Sequence, residues 1–257
     1  MGTSTPHPGS GSDTPLVPPW ADPGNPDPSP PADPHRFRQF RTELGRFAAS
    51  GDDGNLRAAL GHFARTASGG AATGARRTTS MMAAGASAFT AFSGPGGIGA
   101  ALASAGVDLA SLRGAGLNTV IEAIARAFTP ENGDGAKIEE ALRAALDEVL
   151  RDDPDFDVET FQGFDDETYV DLVAAFIESC VLQQILSEAG PGWDRAGDAV
   201  QQQARENALR DTIRVEIGHH LQPLVDRGIT SMTRDQLTVA QVAIVAGVLR
   251  SWEASDG

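Results

Sequence analysis

The distribution of proline most constrains how this chain of 257 residues can fold. Eleven of its 16 prolines fall within residues 1–35, and no Lys or Arg precedes Arg36. Proline removes a backbone donor and holds the chain extended, and a segment this poor in apolar residues cannot offset the entropy lost on ordering. We therefore predict a disordered tail over residues 1–35, with the folded part of the chain beginning at Arg36.

The remaining residues are predicted to form an all-α helical bundle, in one or two subdomains. Alanine is abundant, apolar residues repeat at helical spacing, and no hairpin signal or alternating strand pattern occurs. We divide this part into an N-terminal helical region, 36–115, with glycine-rich joints, and an acidic helical bundle, 116–257. The predicted helices include residues 36–49, 78–92, 98–105, 117–128, 167–189 and 198–222, and a last helix that follows a capping box of Thr233 and Gln236.

The net charge of -15 is unevenly distributed and excludes some classes of partner. Residues 1–35 carry four acids and no base, whereas residues 36–115 carry nine Arg and four acids, and residues 116–257 are strongly acidic. Because an acidic body repels phosphate backbones, we expect no direct nucleic-acid binding. The charge-free stretch 78–107 is broken by glycines and a proline at 94–97, so neither half is long enough to span a membrane. We expect a cytoplasmic protein.

Two patterns invite a metal interpretation. His219 and His220 follow Glu216 by one helical turn, but adjacent histidines point apart on a helix, so ordinary polar side chains are the favoured interpretation. The alternating acids of residues 153–159 suggest calcium, yet an EF-hand loop needs glycine where this chain has Val158. A solvated acidic loop that can also dock a basic surface is favoured there. Cys180, the one cysteine, is predicted to be a buried, inert thiol.

Further candidate residues lie in two short stretches and at the chain's beginning. Arg76 and Arg77, followed by three hydroxyl residues, can hold a phosphate at a helix start, or can be solvent-facing or paired with the acidic half of the chain. Removal of Met1 would leave Gly2 as a free amine, although Gly2 can also be simply the start of a disordered tail. The apolar cluster Leu16, Val17, Pro18, Pro19 and Trp20 can anchor a partner.

Together these residues resemble a known family. The opening Met1-Gly2-Thr3-Ser4, the segment from Thr14 to Asp22, the Gly74–Arg77 stretch and the alanine-rich helices are similar to QatB proteins. That family is the B component of the four-gene Qat anti-phage defence system of bacteria. The resemblance implies partners in the same system: an ATPase, a TatD-like nuclease and QatC, which is similar to 7-cyano-7-deazaguanine synthases.

The resemblance implies a role for the tail. Such synthases use ATP to activate a carboxylate on a deazapurine, and an activated acyl group needs an acceptor amine. We expect the tail to enter the cleft of the synthase-like partner, with Gly2 as acceptor or bound ligand and Thr3 and Ser4 as hydrogen-bonding residues. The chain would then be a non-enzymatic subunit without catalytic residues, metal or cofactor. The alternative is a metal-dependent hydrolase or effector that uses His219, His220 and the acidic cluster.

Overall fold

Helices account for nearly all the regular structure in the computed structural model of this chain, which describes residues 15–24, 33–94, 96–151, 164–226 and 228–255. Within those ranges there are ten α-helices and no β-strand, which confirms the all-α prediction. The helices are α1 (Arg38–Ser50), α2 (Asp53–His62), α3 (Ala71–Arg77), α4 (Thr79–Phe92), α5 (Gly97–Ser104), α6 (Leu117–Phe128), α7 (Gly135–Leu150), α8 (Asp166–Ala189), α9 (Ala199–Val225) and α10 (Arg234–Ala254).

Side chains cap the starts of two helices in the second unit. At α8 the backbone N–H of Thr168 donates to the Asp165 carboxylate at 2.8 Å. At α10 the predicted capping box is present: Gln236 Oε1 accepts from the Thr233 N–H at 2.9 Å, and the Gln236 N–H donates to the Thr233 hydroxyl at 3.3 Å. These side chains satisfy backbone donors that have no partner within the first helical turn.

Residues 69–74 were among the glycine-rich joints predicted within 36–115, and the structure corrects this prediction. The stretch is not a flexible joint, because α3 begins at Ala71 and includes Gly74. A Cβ on Gly74 would lie 2.6 Å from Cδ1 of Leu249, so this glycine permits close packing. The N–H of Ala71 donates to the Glu253 carboxylate at 2.7 Å, which caps the start of the helix.

The chain divides into two compact units that are discontinuous in sequence. The first unit comprises residues 1–78, 181–220 and 242–257, and the second comprises residues 79–180 and 221–241. The boundary falls inside α8, α9 and α10. These units are defined by contacts within the folded chain. The segments 36–115 and 116–257 predicted from the sequence were defined by composition and charge.

In the first unit α1 packs against α2 and against the short helical turn Gly190–Arg195. The rings of Phe40 and Phe63 lie 5.3 Å apart between centroids, and Phe47 lies against Trp193. A Cβ on Gly45 would lie 3.4 Å from Cα of Gly192. The small residue lets the two backbones approach closely and so completes this core.

The second unit has an aromatic core. Phe89 meets Phe176 edge to face at 5.3 Å, and Phe92 meets Phe128 in the same way at 5.4 Å. Phe89, Phe92 and Phe176 are fully buried. Edge-to-face pairs of this kind place the positive ring edge on the negative ring face and stabilise the packing beyond the area they bury.

Two segments, Asp166–Arg195 and Arg234–Ala254, are long and apolar enough in composition to cross a membrane. In the structure 67% of the apolar window of the first and 50% of that of the second are buried inside the protein. Core helices of soluble proteins meet the same criterion, so these segments are weak evidence for a membrane span. The prediction of a chain without membrane segments rests on residues 78–107 and stays a prediction.

Candidate partner-binding site

Residues 15–24, which lie within the predicted tail, pack onto the first unit. Leu16, Val17 and Ala21 are 8%, 7% and 1% exposed. Trp20, in the same segment, is 47% exposed. The N–H of Ala21 donates to the Pro18 carbonyl at 3.0 Å, so the chain turns at this point. The tail predicted from composition is therefore not uniform, because this part is held on the body.

Two contacts fasten the segment. Leu16 occupies the space above Gly69, where a Cβ would come within 2.7 Å of its Cδ1 atom. Gly69 has a φ of 84°, a left-handed conformation that glycine adopts without strain. The Nε of Arg76 donates to the Asp22 carboxylate at 2.7 Å. We call residues 15–24, together with Gly69 and Arg76, the clasp.

Arg77 belongs to a second, more deeply buried cluster. Its Nη2 pairs with Oε1 of Glu188, and the Gln184 amide donates to the same oxygen at 2.8 Å. The Nε of Arg41 donates to the Glu188 backbone carbonyl at 2.8 Å. The side chains of Arg77 and Glu188 are 13% and 9% exposed, so this pair is largely shielded from solvent.

The cluster around Glu188 carries more positive than negative charge. Burial lowers the pKa of Arg36 below its ordinary value; the charges of Arg77 and Arg41 lower it further, and Glu188 opposes them. The ring of Phe37 lies 4.2 Å from the guanidinium of Arg36 and 4.7 Å from that of Arg41. Cation–π contacts on Phe37 thus stabilise two of the three arginines.

The two arginines singled out in the sequence lie in the last turn of α3, not at the start of the following helix. Both use their guanidinium groups in ion pairs, Arg76 with Asp22 and Arg77 with Glu188. The ion pair of Arg77 with Glu188 matches the interpretation in which these arginines pair with the acidic half of the chain, whereas Arg76 pairs with Asp22 of the predicted tail. The basic residues of this stretch therefore organise the protein itself, and Arg76 fastens the N-terminal segment.

The comparison with protein families decides the identity. The sequence profile described as "QatB: Qat anti-phage system associated protein QatB" matches residues 69–246, which is more than half of the chain. The chain belongs to the QatB family. It is thus a component of the Qat anti-phage system, and the resemblance predicted from the sequence is confirmed. No curated protein and no solved structure matches the chain.

In this QatB-family chain the predicted site residues of the N-terminal tail are divided among three settings. Gly2, Thr3 and Ser4 lie outside the described residues. Leu16 and Val17 are buried by contacts within the chain, and Pro18, Pro19 and Trp20 form the outer turn of the clasp, of which Pro19 and Trp20 are exposed. Of the five apolar residues in the cluster, Pro19 and Trp20 are therefore the exposed ones.

The residues of the metal alternative have ordinary surroundings. His220 Nε2 lies 3.2 Å from the Ser251 hydroxyl, and a Cβ on Gly247 would lie 2.7 Å from His220 Nδ1. His219 is exposed. The part of the chain that the structure describes contains no group of three or more His, Cys, Asp or Glu residues that could hold a metal ion. The acidic residues 153–159 lie outside that part.

Two clefts among the described residues each lie within one unit. A cleft of about 270 Å³ in the first unit is lined by residues that include Asp53, Arg57, Glu216 and Trp252. A cleft of about 360 Å³ in the second unit has the carboxylates of Asp166, Glu167 and Asp171 beside apolar residues. Neither set of lining residues includes a nucleophile paired with a base.

Sequence reasoning missed three residues on which the site depends. Asp22, Gly69 and Glu188 bind or pack against predicted residues that lie more than 50 residues away in the sequence. Asp22 lies two residues after the apolar cluster, and this position was the available signal that it belongs to the same structural element.

Proposed function

We propose that this chain is a non-enzymatic subunit of a Qat anti-phage complex whose N-terminal segment enters the active-site cleft of a synthase-like partner, QatC. One observation carries the proposal: the clasp holds the root of the N-terminal segment on the first unit, so that residues 1–14 precede a fixed point. Membership of the QatB family supports the setting in a multi-component defence system. The ATPase and the TatD-like nuclease of that system are further proposed partners, and the setting is cytoplasmic.

The proposed chemistry uses the amine of Gly2. After removal of Met1, the Gly2 nitrogen attacks the acyl carbon that the partner has activated with ATP. A new C–N amide bond forms, the bond from the acyl carbon to its leaving group breaks with its electron pair, and the amine loses a proton. Glycine suits this acceptor role because it has no side chain to hinder the approach. Thr3 and Ser4 then supply hydrogen bonds to the cleft.

The body has a supporting role in this proposal. The exposed indole of Trp20 provides an apolar contact next to the entering segment, and the helices dock on the outside of the partner. Arg76 and Arg77 hold the clasp and the adjoining cluster through their ion pairs. No residue of this chain needs to act as acid, base or nucleophile other than the Gly2 amine.

Intact mass tests the proposal. The full-length chain is produced with and without the synthase-like partner, and a mass increase that depends on the partner and maps to Gly2 is expected. A Gly2→Leu variant should retain Met1, because the larger residue blocks its removal, and should lose the addition. A Ser10→Ala variant in the same segment is the matched control and should keep it. Identical masses with and without the partner would remove the acceptor role.

Deletion separates this function from a metal-dependent effector. Removing residues 2–14 leaves the clasp intact and should abolish defence, while the helical content measured by circular dichroism is unchanged. If the deleted chain still protects cells from phage, and purified protein contains stoichiometric metal that a His219→Ala and His220→Ala double variant loses, the effector function replaces the proposal.

A further inference from the structure

We propose that the clasp is a fixed contact surface for the synthase-like partner, with Trp20 as its contact residue and with Asp22 and Arg76 as positioning residues for the reaction of Gly2. This inference rests on the proposed function. It adds where the partner contacts the body and how the body sets the position of the reacting amine.

The first step of the argument is that the clasp is fastened at both ends. Leu16 lies over Gly69 at one end, and Asp22 pairs with Arg76 at the other. The side chains of Asp22 and Arg76 are 11% and 26% exposed, so the ion pair is partly shielded from water. A short segment held at two points retains little freedom, and a partner that binds it loses little further entropy.

The second step concerns the direction of Trp20. The turn between Pro18 and Ala21 buries Ala21 and leaves the Trp20 side chain 47% exposed. The exposed part of this residue is available to a partner. Tryptophan is the residue type most enriched where binding energy is concentrated, because it buries a large area and loses few rotamers. The chemistry fits a partner with an apolar pocket for an indole.

The third step is the reach of the N-terminal segment. The chain advances 13 residues from Gly2 to Pro15. At a maximum of about 3.6 Å per residue this gives a reach of roughly 47 Å, whatever the conformation of the segment. The cleft that receives Gly2 must therefore lie within that distance of the clasp on the partner's surface.

The fourth step is the effect of opening the clasp. The tether would then run from Gly2 to residue 33, where the described body resumes, a span of 31 residues. Effective concentration falls with about the −3/2 power of tether length, so the concentration of Gly2 at the cleft would fall roughly fourfold. The oriented Trp20 contact would be lost as well. Binding would weaken while the chemical step in the filled cleft would not change.

The test measures initial rates of mass addition to Gly2 in full-length chain, as a function of its concentration, with the synthase-like partner, ATP and the deazapurine carboxylate. Asp22→Arg and Arg76→Asp are each expected to raise KM at least about fourfold with kcat unchanged. The charge-swapped double variant restores the pair and should return KM toward the wild-type value. Arg234→Asp is the matched control on an exposed helix start and should leave KM unchanged.

Hydrogen exchange of residues 16–24 shows whether the clasp has opened. We expect faster exchange there in the two single variants, wild-type exchange in the double variant, and wild-type exchange in Trp20→Ala, which should nevertheless raise KM. If the single variants open the clasp and keep wild-type KM, or if neither opens it, the inference is overturned. A Leu16→Ala variant repeats the test at the other fastener if a charge variant does not fold.

The result also separates this inference from the proposed function. If wild-type Gly2 gains no mass, the acceptor role fails, and the dissociation constant for the partner replaces the rate as readout. We then expect Asp22→Arg and Trp20→Ala to bind the partner more weakly, and the charge-swapped double variant to bind it like the wild type. This result would support the contact surface independently of the acceptor role. Unchanged dissociation constants overturn the contact surface.

Discussion

The Asp22 carboxylate accepts a hydrogen bond from Nε of Arg76 at 2.7 Å, across 54 residues of the chain. The pair joins a proline-rich segment to the last turn of α3. Within the predicted tail, the body thus holds residues 15–24, and residues 1–14 precede this held part. The proposed reaction needs both parts. The preceding residues carry the Gly2 amine into the partner's cleft, and the held residues fix the point on the body from which they extend.

Glu188 is predicted to be the most sensitive acidic residue of the first unit. Glu188→Gln leaves Arg77, and the arginines near it, without their buried counter-charge, and we expect the free energy of unfolding to fall by about 3 kcal/mol. Urea unfolding measures the loss. Glu206→Gln breaks a partly exposed pair with Arg210 within α9 and should cost at most about 0.5 kcal/mol. Equal losses for the two variants would contradict the special position of Glu188.

Gly85→Ala tests the aromatic core of the second unit. A Cβ at this position would lie 2.2 Å from Cε1 of Phe176, so the ring must move, and we expect a loss of about 1–3 kcal/mol. Gly218→Ala in α9 is the matched control, because a Cβ there has open space within 4 Å. It should stabilise the protein by about 0.5–1 kcal/mol through helix propensity. A stabilising Gly85→Ala would show that Phe176 has room to shift.

The Asp165 cap gives a pH dependence with a defined sign. Hydrogen bonds from the backbone N–H and the hydroxyl of Thr168 lower the pKa of Asp165 below its ordinary value of 3.8. A carboxylate with a lowered folded-state pKa contributes stability that is fully present above the unfolded-state pKa and is lost as pH falls through the folded-state pKa. The urea midpoint of the wild type should therefore exceed that of Asp165→Asn by a constant amount above about pH 5.

Below pH 3.8 this difference between wild type and Asp165→Asn should narrow as the pH falls. Thr168→Ala removes the hydroxyl donor and keeps the backbone donor, so the folded-state pKa of Asp165 is lowered less in this variant. The contribution of the carboxylate should then begin to fall at the same pH as in the wild type, but the loss should be smaller and should end at a higher pH. A difference that stays constant down to pH 2 would show that the charge of the Asp165 carboxylate does not contribute to the stability of the folded protein.

Cys180 is predicted to be unreactive in the folded protein. Its side chain is fully buried, as the sequence pattern indicated, and burial raises the pKa of the thiol well above its ordinary value, with Asp134 raising it further. Since the thiolate is the reactive form, a disulfide reagent should titrate about one thiol per chain only after denaturation. Cys180→Ser provides the blank. Rapid reaction of the native protein would reveal opening of the second unit.

Local interactions explain why much of the helical structure could be predicted from the sequence. Helix α6 begins and ends at the predicted residues, Leu117 and Phe128. The caps at Asp165 and Thr233 are present because each side chain bonds a backbone group three residues away. Such interactions depend on residues that are neighbours in the chain, so spacing and residue type are sufficient to identify them.

Family membership and helical architecture were thus determined by the sequence itself, but the clasp was determined by the tertiary structure. Leu16 meets Gly69, Asp22 meets Arg76, and Gly74 permits the approach of Leu249. Pairs separated by about 50 to 180 residues come together only after the helices have packed, and no local pattern specifies which side chains will then be adjacent. The same proline-rich composition is compatible with a free segment and with a fastened one, and packing against the first unit decides between them for residues 15–24.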